Sequence, residues 1–153
     1  LTFCVLSHAQ GHPLAIEVFG SSLFGRNVSQ WRSALTRLRE NKSKTIMDVL
    51  RISYDELDDI DKEMFLDIAC FFFISHESIV KEILKFRGFH PEYGLGVLVD
   101  KSLITIENGI IRMHELLKDL GRSIIREKSP RVPRKWNRLW DYSDLCKVMS
   151  DNK

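Results

Sequence analysis

Cysteine, proline and glycine are scarce in this chain: 3, 4 and 8 of its 153 residues. Cys4, Cys70 and Cys146 are odd in number and scattered, which argues against a secreted disulfide framework. Reduced thiols in the cytoplasm or nucleus fit better. Long hydrophobic runs are also missing. The longest apolar stretch, Met64 to Phe73, is interrupted by Asp67 and falls far short of the ~20 residues of a membrane span. No signal-peptide pattern, internal repeat or low-complexity tract occurs. Charge of one sign is nearly balanced, and a net +2 exerts no global pull toward nucleic acid. Enzyme signatures are lacking too: no G-x-x-x-x-G-K-[ST] loop, no G-x-S-x-G elbow, no H-E-x-x-H and no paired C-x-x-C. What is present is 44% hydrophobic and 29% charged residues, enough for a packed core in one domain or two very small ones. The first residue is Leu1, and the opening residues read as the inside of a helix, so a fragment of something larger is expected.

Periodicity predicts a chain of helices. Gly11-His12-Pro13 breaks the chain, and Pro13 suits the first position of a helix carrying Leu14, Ala15, Val18, Phe19 and Leu23. After the loop Gly25-Arg26-Asn27, Ser29 is a candidate cap for a helix with Trp31, Leu35 and Leu38. Asn41 to Lys44 is polar and reads as a linker. Ile46, Val49, Leu50, Tyr54 and Leu57 mark the next helix. Asp58-Asp59-Ile60-Asp61 suits a helix N-terminus, and Lys62 to Phe73, apolar nearly all round, reads as a central core helix. A further helix with Ile79, Val80, Ile83, Leu84 and Phe86 ends at Gly88, and Pro91 starts another with Leu95, Leu98 and Val99 inside. Leu103 to Ile106, the turn Glu107-Asn108-Gly109 and Ile110 to Met113 form a β-hairpin, because Asn-Gly tolerates the positive φ of a type I′ turn. Met113, Leu116, Leu117, Leu120 and Ile124 then give one helical stripe. Two prolines keep Ser129 to Lys135 out of helix, Leu139-Trp140 is an apolar anchor, and Asp141 or Ser143 caps a last helix with Leu145, Val148 and Met149.

Helices, a two-stranded hairpin, then a helix is the layout of a winged-helix domain. The expected fold is mostly α: residues 1–41 form a small helical piece, 45–128 a winged-helix subdomain, and 129–153 a basic linker with a terminal helix.

His114 stands where hairpin passes into helix, at free backbone N–H groups that favour an anion. A cap or a packed side chain is the plainer role for such a histidine. Cys4, His8 and His12 have the spacing of metal ligands on a helix, but Gly11 and Pro13 break that helix at the third. No metal site is therefore expected. Asp67 reads as a capped or partly exposed carboxylate rather than an activated acid. Phe71-Phe72-Phe73 reads as core or interdomain packing. From Arg122 to Arg138 seven cations (Arg122, Arg126, Lys128, Arg131, Arg134, Lys135 and Arg138) face one acid, Glu127. With Trp136 they offer an alternative function, DNA binding by the winged helix. A solvated loop or an interdomain surface explains the same charges.

An ordered set of segments resembles the plant nucleotide-binding disease-resistance receptors with an N-terminal TIR domain, which carry an NB-ARC module. Gly11-His12-Pro13-Leu14-Ala15 resembles the G-L-P-L-A motif. Leu50 to Leu57, continuing through Phe65 to Phe72, resembles the opening of the winged-helix subdomain. Leu98 to Ile104 resembles the stretch before the hairpin, Met113-His114-Glu115 the M-H-D motif, and Arg138-Leu139-Trp140 a later segment. The resemblance implies an ARC1-like helical subdomain followed by an ARC2-like winged helix in a switch that ADP holds closed and ATP opens, releasing the receptor to oligomerise and signal in defence. It implies Pro13 and Leu14 near the adenine and His114 at the β-phosphate of ADP. Its other partners would be the receptor's own nucleotide-binding subdomain, TIR domain and leucine-rich repeats, with no membrane and no nucleic acid. The phosphate-gripping loop is not in this sequence, so the chain itself is expected to hold no Mg²⁺ and catalyse nothing, whereas the complete module is a slow ATPase at most. Glu115 replaces the family's usual Asp, and His12 stands where Leu is common.

Overall fold

The computed structural model describes residues 13–40 and 46–127. The expected linker Asn41 to Lys44, the Cys4-His8-His12 spacing and everything from Lys128 on lie outside the described residues. Helix α1 (Pro13–Leu23) begins at the proline, whose fixed φ and missing N–H suit a first turn. It ends at Gly25, which takes φ +75°. Helix α2 (Val28–Glu40) starts earlier than Ser29. Asn27, not Ser29, is its cap: the Gln30 N–H donates to Asn27 Oδ1 (2.8 Å) and the Asn27 N–H to Gln30 Oε1 (3.0 Å). This reciprocal pair satisfies donors that a Ser29 cap would leave open. Helix α3 (Ile46–Asp55) follows, then α4 (Asp59–Asp67), capped by Asp58, whose Oδ1 accepts the Asp61 N–H at 2.8 Å.

The expected core helix to Phe73 changes character at its end. A single π-helical turn, Ile68–Phe72, continues α4, and strand β1 (Ile74–His76) begins directly after Phe73. Helices α5 (Glu77–Phe86) and α6 (Pro91–Asp100) come next, then strands β2 (Thr105–Glu107) and β3 (Ile110–Arg112), and helix α7 (Glu115–Glu127). The hairpin has the anticipated turn, with Asn108 at φ +51° and Gly109 at +73°. Yet the sheet has three strands, not two: its order is β1-β3-β2, all antiparallel. Helix, strand, two helices and a hairpin is the winged-helix order, and this part of the chain is one.

Two apolar clusters hold the molecule together. The larger gathers Leu50, Tyr54, Phe65, Ile68, Leu98, Ile111, Leu120 and Ile125 from every layer of the winged helix, with Val18 from α1. The smaller joins Ala15, Phe19, Leu23 and Val49, with Trp31 packed against it. Helix α3 contributes to both, so α1 is seated on the winged helix through shared side chains rather than tethered to it. Several residues expected inside are on the surface. Phe86 is 94% exposed, and Ile79, Val99 and Phe71 are exposed as well. Helices α5 and α6, which carry Ile79, Phe86 and Val99, each need only one buried stripe, which Val80, Leu84, Leu95 and Leu98 already fill. Asp67 departs the other way: it is wholly buried and paired with Arg87.

Candidate functional site

His114 is exposed and immediately precedes α7. Its carbonyl accepts the N–H groups of Leu117 and Lys118, both at 3.0 Å, and its ring Nδ1 accepts the Leu116 N–H at 3.1 Å. The side chain is thus a helix cap, satisfying one of the orphan donors of the first turn. This capping fixes the ring. A neutral imidazole that accepts at Nδ1 carries its proton on Nε2, the nitrogen on the far side of the ring from the helix.

The strand before it sets the direction. Along Ile110 to His114 exposure alternates, with Ile111 and Met113 buried and Arg112 and His114 exposed. Period two therefore puts Arg112 and His114 on one side of the chain. The cross-strand row Ile74–Arg112–Thr105 lies there as well, through the pairings of β3 with β1 and β2. Helix α1 approaches this row. Leu14 and Glu17 close the far side of a cavity of about 320 Å³ whose near side includes Ile74, Arg112 and His114. Ligand pockets run from about 300 to 1,000 Å³, so this one is at the small end of that range. Its walls mix the apolar Leu14, Leu103 and Leu117 with few polar groups. The formal charges on the lining are Glu17 and Arg112.

The seam beside the cavity is fastened by polar contacts. Ser21 Oγ and Ser102 Oγ share a hydrogen bond of 2.6 Å, and Ser102 also lines the cavity. Glu56 Oε2 lies 3.4 Å from Lys101 Nζ and 3.8 Å from Arg26. Such exposed pairs stabilise by about 0–1 kcal/mol each, so apolar packing carries the seam.

Glu115 opens α7 and is exposed, and Lys118 Nζ reaches its two oxygens at 2.9 and 2.7 Å. The Lys118 hydrogen bond, helped by the charges of Lys118 and Arg122, holds the Glu115 carboxyl below the usual range. Lys118 and Arg122 also lie over the Phe73 ring, at 4.6 and 5.6 Å. The Met113 N–H donates to the Phe73 carbonyl at 2.9 Å. The joint at His114 is thus bound to the strand-leading Phe73 from both sides.

Of the residues singled out from sequence, Leu14 and His114 come together on one cavity, although 14 and 114 are remote in the chain. Pro13 is exposed at the start of α1, next to Leu14 but not on the cavity lining. Arg112 and Glu17 were missed by sequence reasoning. The signal for Arg112 was available, since a strand alternates and His114 follows two positions later. Nothing local pointed to Glu17, which depends on how α1 packs. Among the described residues no group of three or more His, Cys, Asp and Glu side chains is placed to hold a metal ion. None of the described helices is long and apolar enough to cross a membrane.

Comparison with known proteins follows the same outline. The winged-helix domain of Roq1-like disease resistance proteins matches residues 58–129. The chain is 40% identical over 153 residues to disease resistance protein RUN1 of Vitis rotundifolia, covering 100% of this chain and 12% of that protein. It is 41% identical over 150 residues to RPV1 of the same species, covering 98% and 11%. It is 39% identical over 153 residues to TMV resistance protein N of Nicotiana glutinosa, covering 99% and 13%. The chain thus spans roughly an eighth of the relatives it matches.

Proposed function

We propose a function from this premise: the chain belongs to the plant disease resistance proteins and carries their Roq1-like winged-helix domain. In a complete receptor it would be the regulatory part of an ADP/ATP-controlled switch in the defence response, working in the cytoplasm or nucleus. The observation that carries this reading is the cavity shared by Leu14 and His114. Two segments that resemble family nucleotide motifs meet there, from opposite sides of the seam.

The residues fit a nucleotide. Leu14 and Leu103 give an apolar wall for a base, and His114 gives a donor for a phosphate at the start of a helix whose dipole favours anions. Capping at Nδ1 leaves the proton on Nε2, the state needed to donate. A hydrogen bond to a charged group contributes about 1.5–3 kcal/mol. If that contact is made in only one nucleotide state, it shifts a two-state arrangement by roughly ten- to hundredfold. The winged helix would act as a lid that α1 and His114 hold over the nucleotide. The phosphate-gripping loop, any Mg²⁺ and any slow hydrolysis would belong to the receptor's nucleotide-binding subdomain. TIR and leucine-rich-repeat domains would be the lid's partners, with oligomerisation following release.

The DNA-binding alternative gains nothing from the helix pair that would dock. Helix α6, the second of α5 and α6, holds Glu92 and Asp100 and no lysine or arginine. Carboxylates there would repel the phosphates that dominate such binding. Most of the basic segment to Arg138 lies outside the described residues.

The test is nucleotide content. A complete receptor is expected to retain ADP through purification, and His114→Ala is expected to lose most of it and to signal without a pathogen. Equal ADP content and equal signalling in the two proteins would sink the reading.

A further inference from the structure

We infer that Arg112 is a second anion-binding residue of the cavity, gripping the terminal phosphate of a nucleoside diphosphate beside His114 and offsetting the opposing charge of Glu17. This rests on the nucleotide reading above and deepens it.

Three observations converge on Arg112. The first is placement: strand alternation turns Arg112 and His114 to one side, and both line the same cavity. The second is availability. Near the seam and joint, Arg26, Lys101 and Lys118 each lie within ion-pair distance of a carboxylate, and Arg122 lies over the Phe73 ring. Arg112 forms no such pair among the described residues. Its guanidinium is a planar fork of donors that matches phosphate oxygens two at a time. The third is the charge balance of the lining. The full charges on the lining, Glu17 and Arg112, cancel. Without Arg112, Glu17 alone would set the sign, and the cavity would repel a phosphate. Arg112 therefore offsets Glu17 and adds a cation to the donors that His114 and the start of α7 already offer a phosphate. The position of Arg112 is rigid, since it ends the central strand and is paired on both sides, by Ile74 and Thr105.

The experiment is displacement of a fluorescent ADP from the purified complete receptor by ADP and by AMP. The variants are Arg112→Gln, Arg112→Lys, Glu17→Gln, the Arg112→Gln/Glu17→Gln pair and His114→Ala. Arg112→Gln is expected to weaken ADP about tenfold or more, because a charge-assisted contact is lost, and AMP by less than about threefold. Arg112→Lys should lose less, as it keeps the charge but not the fork. Glu17→Gln should tighten ADP, and the double variant should recover part of the loss. If His114→Ala weakens ADP while Arg112→Gln stays within about twofold of the parent, the inference is wrong and the nucleotide reading stands. Equal losses for ADP and AMP in Arg112→Gln would also overturn it, since no terminal-phosphate contact would be at stake. A parent receptor that binds no ADP would remove both.

Discussion

Asp67 and Arg87 illustrate how single residues set this fold. Asp67 is fully buried where α4 turns π-helical, and Arg87, stacked over Phe89 at 5.2 Å, reaches in to meet it. An ionised carboxylate at such a place is tolerable only with a partner. Arg87→Gln is therefore expected to cost about 3 kcal/mol, and Asp67→Asn/Arg87→Gln less than that single change, in denaturant melts. Equal stability of Arg87→Gln and the parent would contradict the account of this pair. Asp61 carries the opposite liability. Burial, followed by the charge of Asp58 and a hydrogen bond to it, pushes the Asp61 carboxyl above its usual range. The folded state thus holds this proton more tightly than the unfolded one, and the associated stability is lost as pH rises through the raised value. Asp61→Asn keeps a donor toward Asp58 and sheds the charge, so it should raise the melting temperature at neutral pH. The gain should fade as pH falls into the carboxylate range, where the parent also becomes neutral. A gain independent of pH would rule out this cause.

Helix α7 is the element that aims His114, and it is seated by a close approach. A Cβ added at Gly121 would lie 2.5 Å from the Ala69 Cβ on the π-helical turn, and neither atom can rotate away. Gly121→Ala should force the helix outward, lower stability by about 1–3 kcal/mol and loosen ADP with it, as read by melting and nucleotide content. Unchanged melting would show that α7 packs elsewhere. Much of α7 was legible in the sequence, because Leu117, Leu120 and Ile124 repeat at helical spacing and all three are buried. The hairpin was legible too, since Asn108-Gly109 needs the positive φ it adopts. Strand β1 was not. Ile74-Ser75-His76 is too short for a period-two pattern, and it owes its extended form to pairing with β3, a tertiary effect. The exposure of Phe86 and Val99 was illegible for a related reason: an apolar residue announces itself equally on either side of a helix. The cap of α2 was misread locally, since Asn27 and Gln30 carry the capping-box spacing that Ser29 lacks.

At the scale of the molecule the distinctive feature is a seam. Helix α1 shares side chains with both apolar clusters and yet leaves a cavity against the wing, so the two halves are joined and still able to hold something between them. His114 was legible as a site because it sits at a change of direction, but Glu17 across the cavity was not, because only packing brings α1 there. The candidate site is therefore half local pattern and half architecture. Loosening the seam should weaken what the cavity holds. Ser102→Ala removes the Ser21 hydrogen bond, so it is expected to speed ADP loss from a complete receptor modestly, by about two- to fivefold, in a release assay. An unchanged release rate would place the nucleotide away from this seam.

The most direct test of the central claim is photo-crosslinking of the complete receptor with an ADP carrying its photoreactive group on the β-phosphate, followed by peptide mapping. The account predicts label on the segment 112–117, suppressed by excess ADP. Label confined to segments outside this chain, with none on 112–117, would contradict it.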